Sequence, residues 1–589
     1  DKQTQQLPNQ AKDKQRLAFA MGFHDVDAFQ QAIDNHRQRV HTHFSALISA
    51  PDDGAAGQEE SHECLQAMKR LWLDEIQEEE ALALLTDNGF RHSENSWRFI
   101  YQLKTSRVVL GLQAESRQRL NQFIPLLLET LALKALSPTA QGEQPDIADL
   151  GLERVLPLVN AVLRRSAYLL LLIENPKALE QVVLLSAASP WIAEQLAKHP
   201  VLLDELLDIR TLFTLPDRDS LRQALLQQTV RIPPEDLEAH MEALRYFKLS
   251  HSLRVAACEV NGLLPLMKVS DYLTFMAEVI LDHSLFLAWQ HLTRQFGQPC
   301  NAAGELLDPG FIIIGYGKLG GLELGHSSDL DIVFVHDADI HQSTHGSKTL
   351  DNATFYARLG QRIIHILETR TPSGQLYEVD ARLRPSGNSG MLVSSLQAFE
   401  KYQLNKAWTW EHQALVRARV VCGCPSLAEK FSALRETVLQ QDRPLPALRK
   451  EVVEMRQKMR DHLGSKGDSR LKGGLFHIKH DAGAIVDIEF MVQYAVLAWA
   501  RHFPGLMKYT DNIRILEQLP EYGILSNEEA QGLIDAYKTL RSAIHRLALQ
   551  QLPATVGGEQ FLAERAHIVQ LWQKLLESPQ ATQPVNADE

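Results

Sequence analysis

Asp329 and Asp331 stand two residues apart at the head of an apolar run, in GHSSDLDIVFVHD. Side chains two apart in a strand share a face, so this spacing aims both carboxylates the same way. Like charges held together repel, and the pair makes chemical sense around divalent cations. Hard cations such as Mg²⁺ take oxygen ligands. They bridge polyphosphate oxygens and neutralise the charge that develops in phosphoryl or nucleotidyl transfer. A third carboxylate should come from a neighbouring strand, and YEVDARLRPSG offers Asp380. Strand alternation puts Asp380, Arg382 and Arg384 on one face, which suits a metal beside a polyphosphate. Glu378 shares that face and is expected to pair with an arginine.

A glycine turn, GYGKLGG, precedes the aspartates. Gly317 would let the backbone approach phosphates closely, and Lys318 and Ser328 would contact them. Gly315, Gly317 and Gly320 also spell G-x-G-x-x-G after a strand, and Asp337 ends the next, so a dinucleotide-binding fold has to be weighed. Three features oppose it. The stretch from Gly320 to Asp329 is short for a crossover helix, its second half is polar, and βαβ alternation does not continue. A phosphate-cradling G-x-x-x-x-G-K-[ST] loop does not occur. D-x-D pairs are also common on surfaces. The apolar strand, the glycine turn and the D-x-R-x-R segment together favour the metal reading.

The elements that must position these residues follow from periodicity. Buried strands are expected at Phe311–Gly315, Asp329–His336 and Leu376–Leu383, with a short one at Met391–Ser394. Between the first two lies a turn with a short helix. A helix over Asp351–Arg370 puts Phe355, Leu359, Ile363 and Ile366 on one face. Before residue 300 the pattern is almost wholly helical. Leu152, Val155, Val159, Val162 and Leu163 follow helical spacing, as do Leu202, Leu203, Leu206 and Leu207 after Pro200. Ser270 and Asp271 would cap the helix carrying Phe275, Val279 and Ile280. Segments 51–60 and 137–151 read as loops, and helices return after about residue 395 with breaks at 422–425, 464–474 and 552–558. The fold class is therefore mostly α with one α/β (α+β) domain, helical regions lying before and after a small mixed sheet. The expected domains are helical regions 1–136 and 151–300, a catalytic unit 301–425, a helical bundle 426–576 and a disordered tail 577–589.

Bulk properties narrow the class. The chain has 589 residues and a formal net charge of -13, which argues against a nucleic-acid partner. No apolar run is long enough to span a bilayer, and the polar amino terminus resembles no signal peptide. It lacks an initiator methionine, so the chain is expected to be a piece of something longer. Five scattered cysteines fit a reducing cytoplasm, and Cys422 and Cys424 read as free thiols.

The apolar–Gly–turn followed by D-x-D resembles the nucleotidyltransferase superfamily that includes DNA polymerase β. Lys318 stands where that pattern usually has a small residue. GYGKLGGLELGHSSDLDIVF, LYEVDARLRPSGNSGMLV and KAWTWEHQALVRARVV resemble the glutamine synthetase adenylyltransferase family more closely. So do 188–208, 264–278, 483–494 and 511–519. In that family one nucleotidyltransferase domain removes AMP from a tyrosine of glutamine synthetase and a second attaches AMP from ATP. The PII signalling protein and glutamine set the balance. The resemblance is to the carboxy-terminal, adenylylating half with its central helical region. No second glycine turn with D-x-D is found in residues 1–300, so AMP attachment without the removing activity is expected.

The resemblance implies that Asp329, Asp331 and Asp380 bind metal, two Mg²⁺ ions with Mn²⁺ as an alternative. It makes Asp380 the general base for a tyrosine hydroxyl that ordinarily titrates near 10. Asp487 and Glu489, near Gly473, Gly474 and Gly483, would lie in a helical domain closing over the site. They would touch ATP or the target, or else satisfy a helix dipole. Arg417 and Arg419 would reach phosphates or form ordinary salt bridges. Trp408 and Trp410 read as core, and His477 and His480 lack metal-site spacing. The alternatives are transfer to another acceptor (a small molecule, an RNA end or PII itself) and a nucleotide-sensing module without turnover.

Overall fold

The computed structural model describes residues 11–21, 23–30, 32–33, 55–73, 76–136, 146–465 and 474–578. The chain forms two compact units, residues 1–67 and 68–589. The first contributes the helix Ala11–Ala20. Among the described residues no helix is long and apolar enough to cross a membrane.

The second unit is mostly helical around one mixed sheet. Strand β1 is Phe311–Gly315, β2 is Leu330–His336, β3 is Val379–Asp380, β4 is Val393–Ser395 and β5 is Arg419–Gly423. The order is β3-β2-β1-β5, and β4 also pairs with β2. β1 runs antiparallel to both β2 and β5, whereas β3 and β4 run parallel to β2. The antiparallel β1–β2 pair rules out a dinucleotide-binding βαβ unit, which needs parallel strands. Two further strands, β6 (Leu475–His477) and β7 (Thr555–Gly557), form a separate antiparallel ribbon.

β1 is buried along its whole length because both faces of the sheet are covered. Alternation divides it between two cores. Phe311 and Ile313 pack with Trp289 and Phe355, from the helices Leu266–Phe296 and Asn352–Glu368. Ile312 and Ile314 pack with the carboxy-terminal helices through residues such as Ile488 and Met491. In β2, Leu330, Ile332 and Phe334 join the first core, and Val333 and Val335 join the second. Asp331 falls in phase with Val333 and so lies on the side of the carboxy-terminal layer.

Several expectations need correcting. β2 begins at Leu330, so Asp329 precedes the strand. The strand expected over 376–383 shrinks to Val379–Asp380, because the chain turns at Ala381 and Arg382 to wrap Asp380. β5 was read as part of a helical return, yet RVVCG supplies an edge strand. The helix carrying Phe275 starts at Leu266, four residues before Ser270. Ser270 is interior and accepts a hydrogen bond from Arg541 instead of capping. Pro200–Leu206 is a short 3₁₀ helix, and Leu207 is exposed. In the two expected loops, Ala55 already opens a helix to Trp72 and Ile147 one to Val162. Residues 51–54, 137–145, 466–473 (with Gly473) and 579–589 lie outside the described residues.

Candidate active site

The helix Gly317–Gly320 turns the chain between β1 and the segment leading to β2. Tyr316 N donates to Asp331 O at 2.9 Å and ties the end of β1 to the start of β2. Gly317 has φ +52°, and a Cβ there would sit 2.4 Å from Asp331 Oδ2. Only glycine accepts that backbone and leaves room for the carboxylate. The close approach at Gly317 is thus to Asp331 itself. Gly320 is equally constrained, since a Cβ would meet the Arg417 carbonyl at 1.8 Å.

Parallel pairing sets Asp380 beside Asp331. Asp329, Asp331 and Asp380 each bring a carboxylate oxygen within 4.8 Å of the others. Burial, then the charges of Asp329 and Asp380, push the Asp331 carboxyl up to about 6, against the pull of Lys479 and Lys318. A cluster that resists its own ionisation, offering only oxygen donors, fits a hard divalent cation. The three aspartates would hold it, and it would supply charge neutralisation and polarisation of phosphate oxygens.

The arginines behave differently from the strand-based expectation. Arg382 is bonded back to Asp380, with Nε at 2.8 Å from Oδ2 and the main-chain nitrogen at 2.8 Å from Oδ1. This hydrogen bonding holds the Asp380 carboxyl below its ordinary value. The Arg382 side chain is nevertheless 72% exposed. Arg384 does not share the face. It turns onto main-chain carbonyls, including Ala381 O at 2.8 Å, because the strand has ended. Glu378 is exposed and forms no ion pair among the described residues, so the arginine expected for it is engaged elsewhere.

Beside the aspartates is a cavity lined by Lys318, Ser328, Lys479, Glu489 and Arg541, among others. Burial, with Lys479 and Arg541 nearby, pushes the Lys318 ammonium below its usual value. The Ser328 hydroxyl accepts from Gly325 N at 3.0 Å and closes the turn ahead of Asp329. Lys479 was missed by sequence reasoning. Its segment, FHIKHD, drew notice only for histidines, and no spacing links it to residue 331. Its position between β6 and the helix Ile485–Trp499 brings it to the cavity.

Arg417, Asp487 and Glu489 separate into two structures. Arg417 pairs with Glu489 at 2.8 Å and with Glu323. It is held inside the protein and does not open toward phosphates. Arg419 likewise binds Glu278 and the Gly320 carbonyl, the latter at 3.0 Å. Asp487 is buried and accepts from Arg456 Nε at 2.6 Å and Gly483 N at 2.7 Å. Its carboxylate thus satisfies the start of its own helix and not the cavity, whereas Glu489 does line it. Trp408 and Trp410 are 70% and 38% exposed, contrary to the core reading. Trp408 sits at the N-cap of the helix Thr409–Val416, where its main chain is bonded to Glu411 and its ring has no core to enter. His477 and His480 pack with tilted rings, centroids 4.8 Å apart, and join no metal-capable group among the described residues. Cys422 and Cys424 are free.

Comparison with known proteins follows the same outline. Residues 179–434 match the family model described as glutamate-ammonia ligase adenylyltransferase. Residues 1–48 and 453–555 match the model for GlnD PII-uridylyltransferase. The bifunctional glutamine synthetase adenylyltransferase/adenylyl-removing enzyme of Pseudomonas aeruginosa is 50% identical over 582 residues, 98% of this chain and 58% of that protein. The similarly named proteins of Pseudomonas syringae pv. tomato and Hahella chejuensis are 51% and 47% identical, again over 98% of this chain and 58% of theirs. The chain spans a little under three-fifths of the length of these relatives. About half of this chain's residues, along almost all of its own length, are shared with these bifunctional glutamine synthetase adenylyltransferase/adenylyl-removing enzymes.

Proposed function

We propose that this chain transfers AMP from ATP to a tyrosine hydroxyl of glutamine synthetase, releasing pyrophosphate. The observation that carries the reading is the convergence of Asp329, Asp331 and Asp380 beside a lysine-lined cavity. Lys318 and Lys479 neutralise the triphosphate and orient its chain. Asp331, with its carboxyl raised to about 6, is the group whose charge is most relieved by a bound cation. Mg²⁺ is the proposed ion, two per site, with Mn²⁺ as a substitute. Asp380 accepts the tyrosine proton once Arg382 releases it, which an exposed guanidinium can do at small cost. The α-phosphorus then gains the tyrosine oxygen and loses the pyrophosphate oxygen.

Attachment of AMP, without its removal, is the proposed direction, since the glycine turn with D-x-D resembles the adenylylating half of the family. PII and glutamine are proposed as regulators on the same resemblance. Five scattered cysteines suit a reducing cytoplasmic setting. A second reading, with PII as the acceptor, draws on the match of residues 453–555 to the PII-uridylyltransferase model. Intact-mass measurement of glutamine synthetase and of PII, each incubated with ATP, Mg²⁺ and this chain, decides between them. One added AMP on a tyrosine of glutamine synthetase is expected. Mass gain on PII alone would install the second reading, and no gain on either would overturn both.

A further inference from the structure

Three segments distant in sequence meet at Glu259, His326 and His545. Glu259 lies in the last turn of the helix Leu237–Val260, and His545 near the end of the helix Asn527–Leu549. His326, three residues before Asp329, belongs to the turn Gly325–Ser328. Glu259 Oε2 faces His326 Nε2 at 2.6 Å, and Oε1 faces His545 Nδ1 at 3.2 Å. One ligand atom from each of the three lies within 4.8 Å of the other two. The two imidazoles are 2% and 4% exposed and the carboxylate 13%.

Buried carboxylates are ordinarily paired with a cation or bound to a metal. No lysine or arginine forms an ion pair with Glu259 among the described residues; its partners are the two imidazoles. The other ring nitrogen, His326 Nδ1, is buried without a hydrogen-bond partner among the described residues, so the ring's place is fixed chiefly through Nε2. Trp191 packs on His326 with ring centroids 5.8 Å apart and shields that side from water. Two imidazoles with one carboxylate form a donor set for zinc-like transition metals, whereas Mg²⁺ prefers oxygen alone.

We propose that Glu259, His326 and His545 bind a zinc-class transition-metal ion at a site separate from the three aspartates. Metal–ligand bonds of about 2.0–2.2 Å need donor atoms roughly 3.3 Å apart in a tetrahedron. The His545 spacing from Glu259, 3.2 Å, already matches this, and the His326 spacing of 2.6 Å has to open by about 0.7 Å. Both imidazoles also line the cavity that holds Lys318, so water there completes the coordination. The bound ion pins the turn Gly325–Ser328 to two helices and so fixes the approach to Asp329. The inference does not depend on the transferred group or its acceptor.

The test uses the full chain, stripped with chelator and then titrated with Zn²⁺ or Co²⁺. Dialysis against metal-free buffer should leave one zinc per chain by mass spectrometry. Co²⁺ should give the intense visible bands of tetrahedral nitrogen-containing ligation, which all-oxygen octahedral sites lack. Both signals should vanish in His545→Ala and Glu259→Gln and persist in Asp331→Asn. Wild-type protein that retains no zinc, or a Co²⁺ spectrum lost in Asp331→Asn and kept in His545→Ala, would overturn the proposal. The wild-type measurement needs no variant, so a variant that fails to fold does not shield the idea.

Discussion

Two acidic clusters flank the glycine turn, and they have opposite electrostatic fates. Glu323 is fully buried and saturated. Its oxygens receive Asn512 N at 3.2 Å, Tyr537 Oη at 2.6 Å and the Arg417 guanidinium. Burial opposes its charge, yet Arg417 and Arg541 hold its carboxyl below the ordinary value. Asp331 is less deeply buried, has acids for neighbours, and has its carboxyl driven upward. The residue types overlap, but one cluster spends its charge on buried protein partners and the other leaves the charge of Asp331 only partly compensated. A saturated cluster holds the carboxy-terminal layer on the sheet, and an unsaturated one is poised for an exogenous cation.

The largest effect that sharpens this contrast is on catalysis. Asp331→Asn should lower the proposed adenylyl transfer by about 10²–10³ or more while leaving the circular dichroism unchanged. Pyrophosphate release measured against wild type checks it, and near-normal turnover would erase the distinction between the clusters. Arg417→Ala should act on the other cluster, costing about 3–5 kcal/mol of stability by stranding Glu323 and Glu489. Denaturant unfolding reads that loss. Lys479→Ala should raise the KM for ATP by about tenfold with the fold intact, the scale of one charge-assisted contact.

A smaller effect lies in the pH dependence of the metal-free protein. A carboxyl raised in the folded state binds its proton more tightly there than when unfolded. Its contribution to stability is therefore full below the ordinary carboxyl value of 3.8 and is lost as pH rises through about 6. Asp331→Asn removes that titration. The melting temperature of wild type relative to the variant should fall across this window, and Mg²⁺ added above it should narrow the gap. A flat difference would mean that Asp331 is not strained by its neighbours. Least affected should be the stability of Arg382→Ala, within about 1 kcal/mol of wild type, since the guanidinium itself is largely solvent-exposed.

Much of the aspartate site was legible because its signals are local. The D-x-D spacing, the apolar run of β2 and the glycine turn lie within one short stretch, and strand periodicity needs only near neighbours. Asp380 was reachable from a second stretch for the same reason. Arg384 was misplaced because alternation was extended past Asp380, where the chain turns. Trp408 was assigned to the core by residue type, yet it stands at a helix start with its ring outside. Lys479, His326 and His545 carried no usable signal, since their partners come from other segments.

From the amino-acid order alone came the strand pair, the amphipathic helices, the three acids and the family resemblance. All of these depend on periodicity or on contiguous motifs. Only the tertiary structure decided which charges are spent. It turned Arg417 and Asp487 inward to buried partners, brought Lys479 to the cavity and gathered Glu259, His326 and His545. The reason is physical: a charged side chain's role depends on its burial and on the partners packed around it, and neither is encoded in its neighbours along the chain.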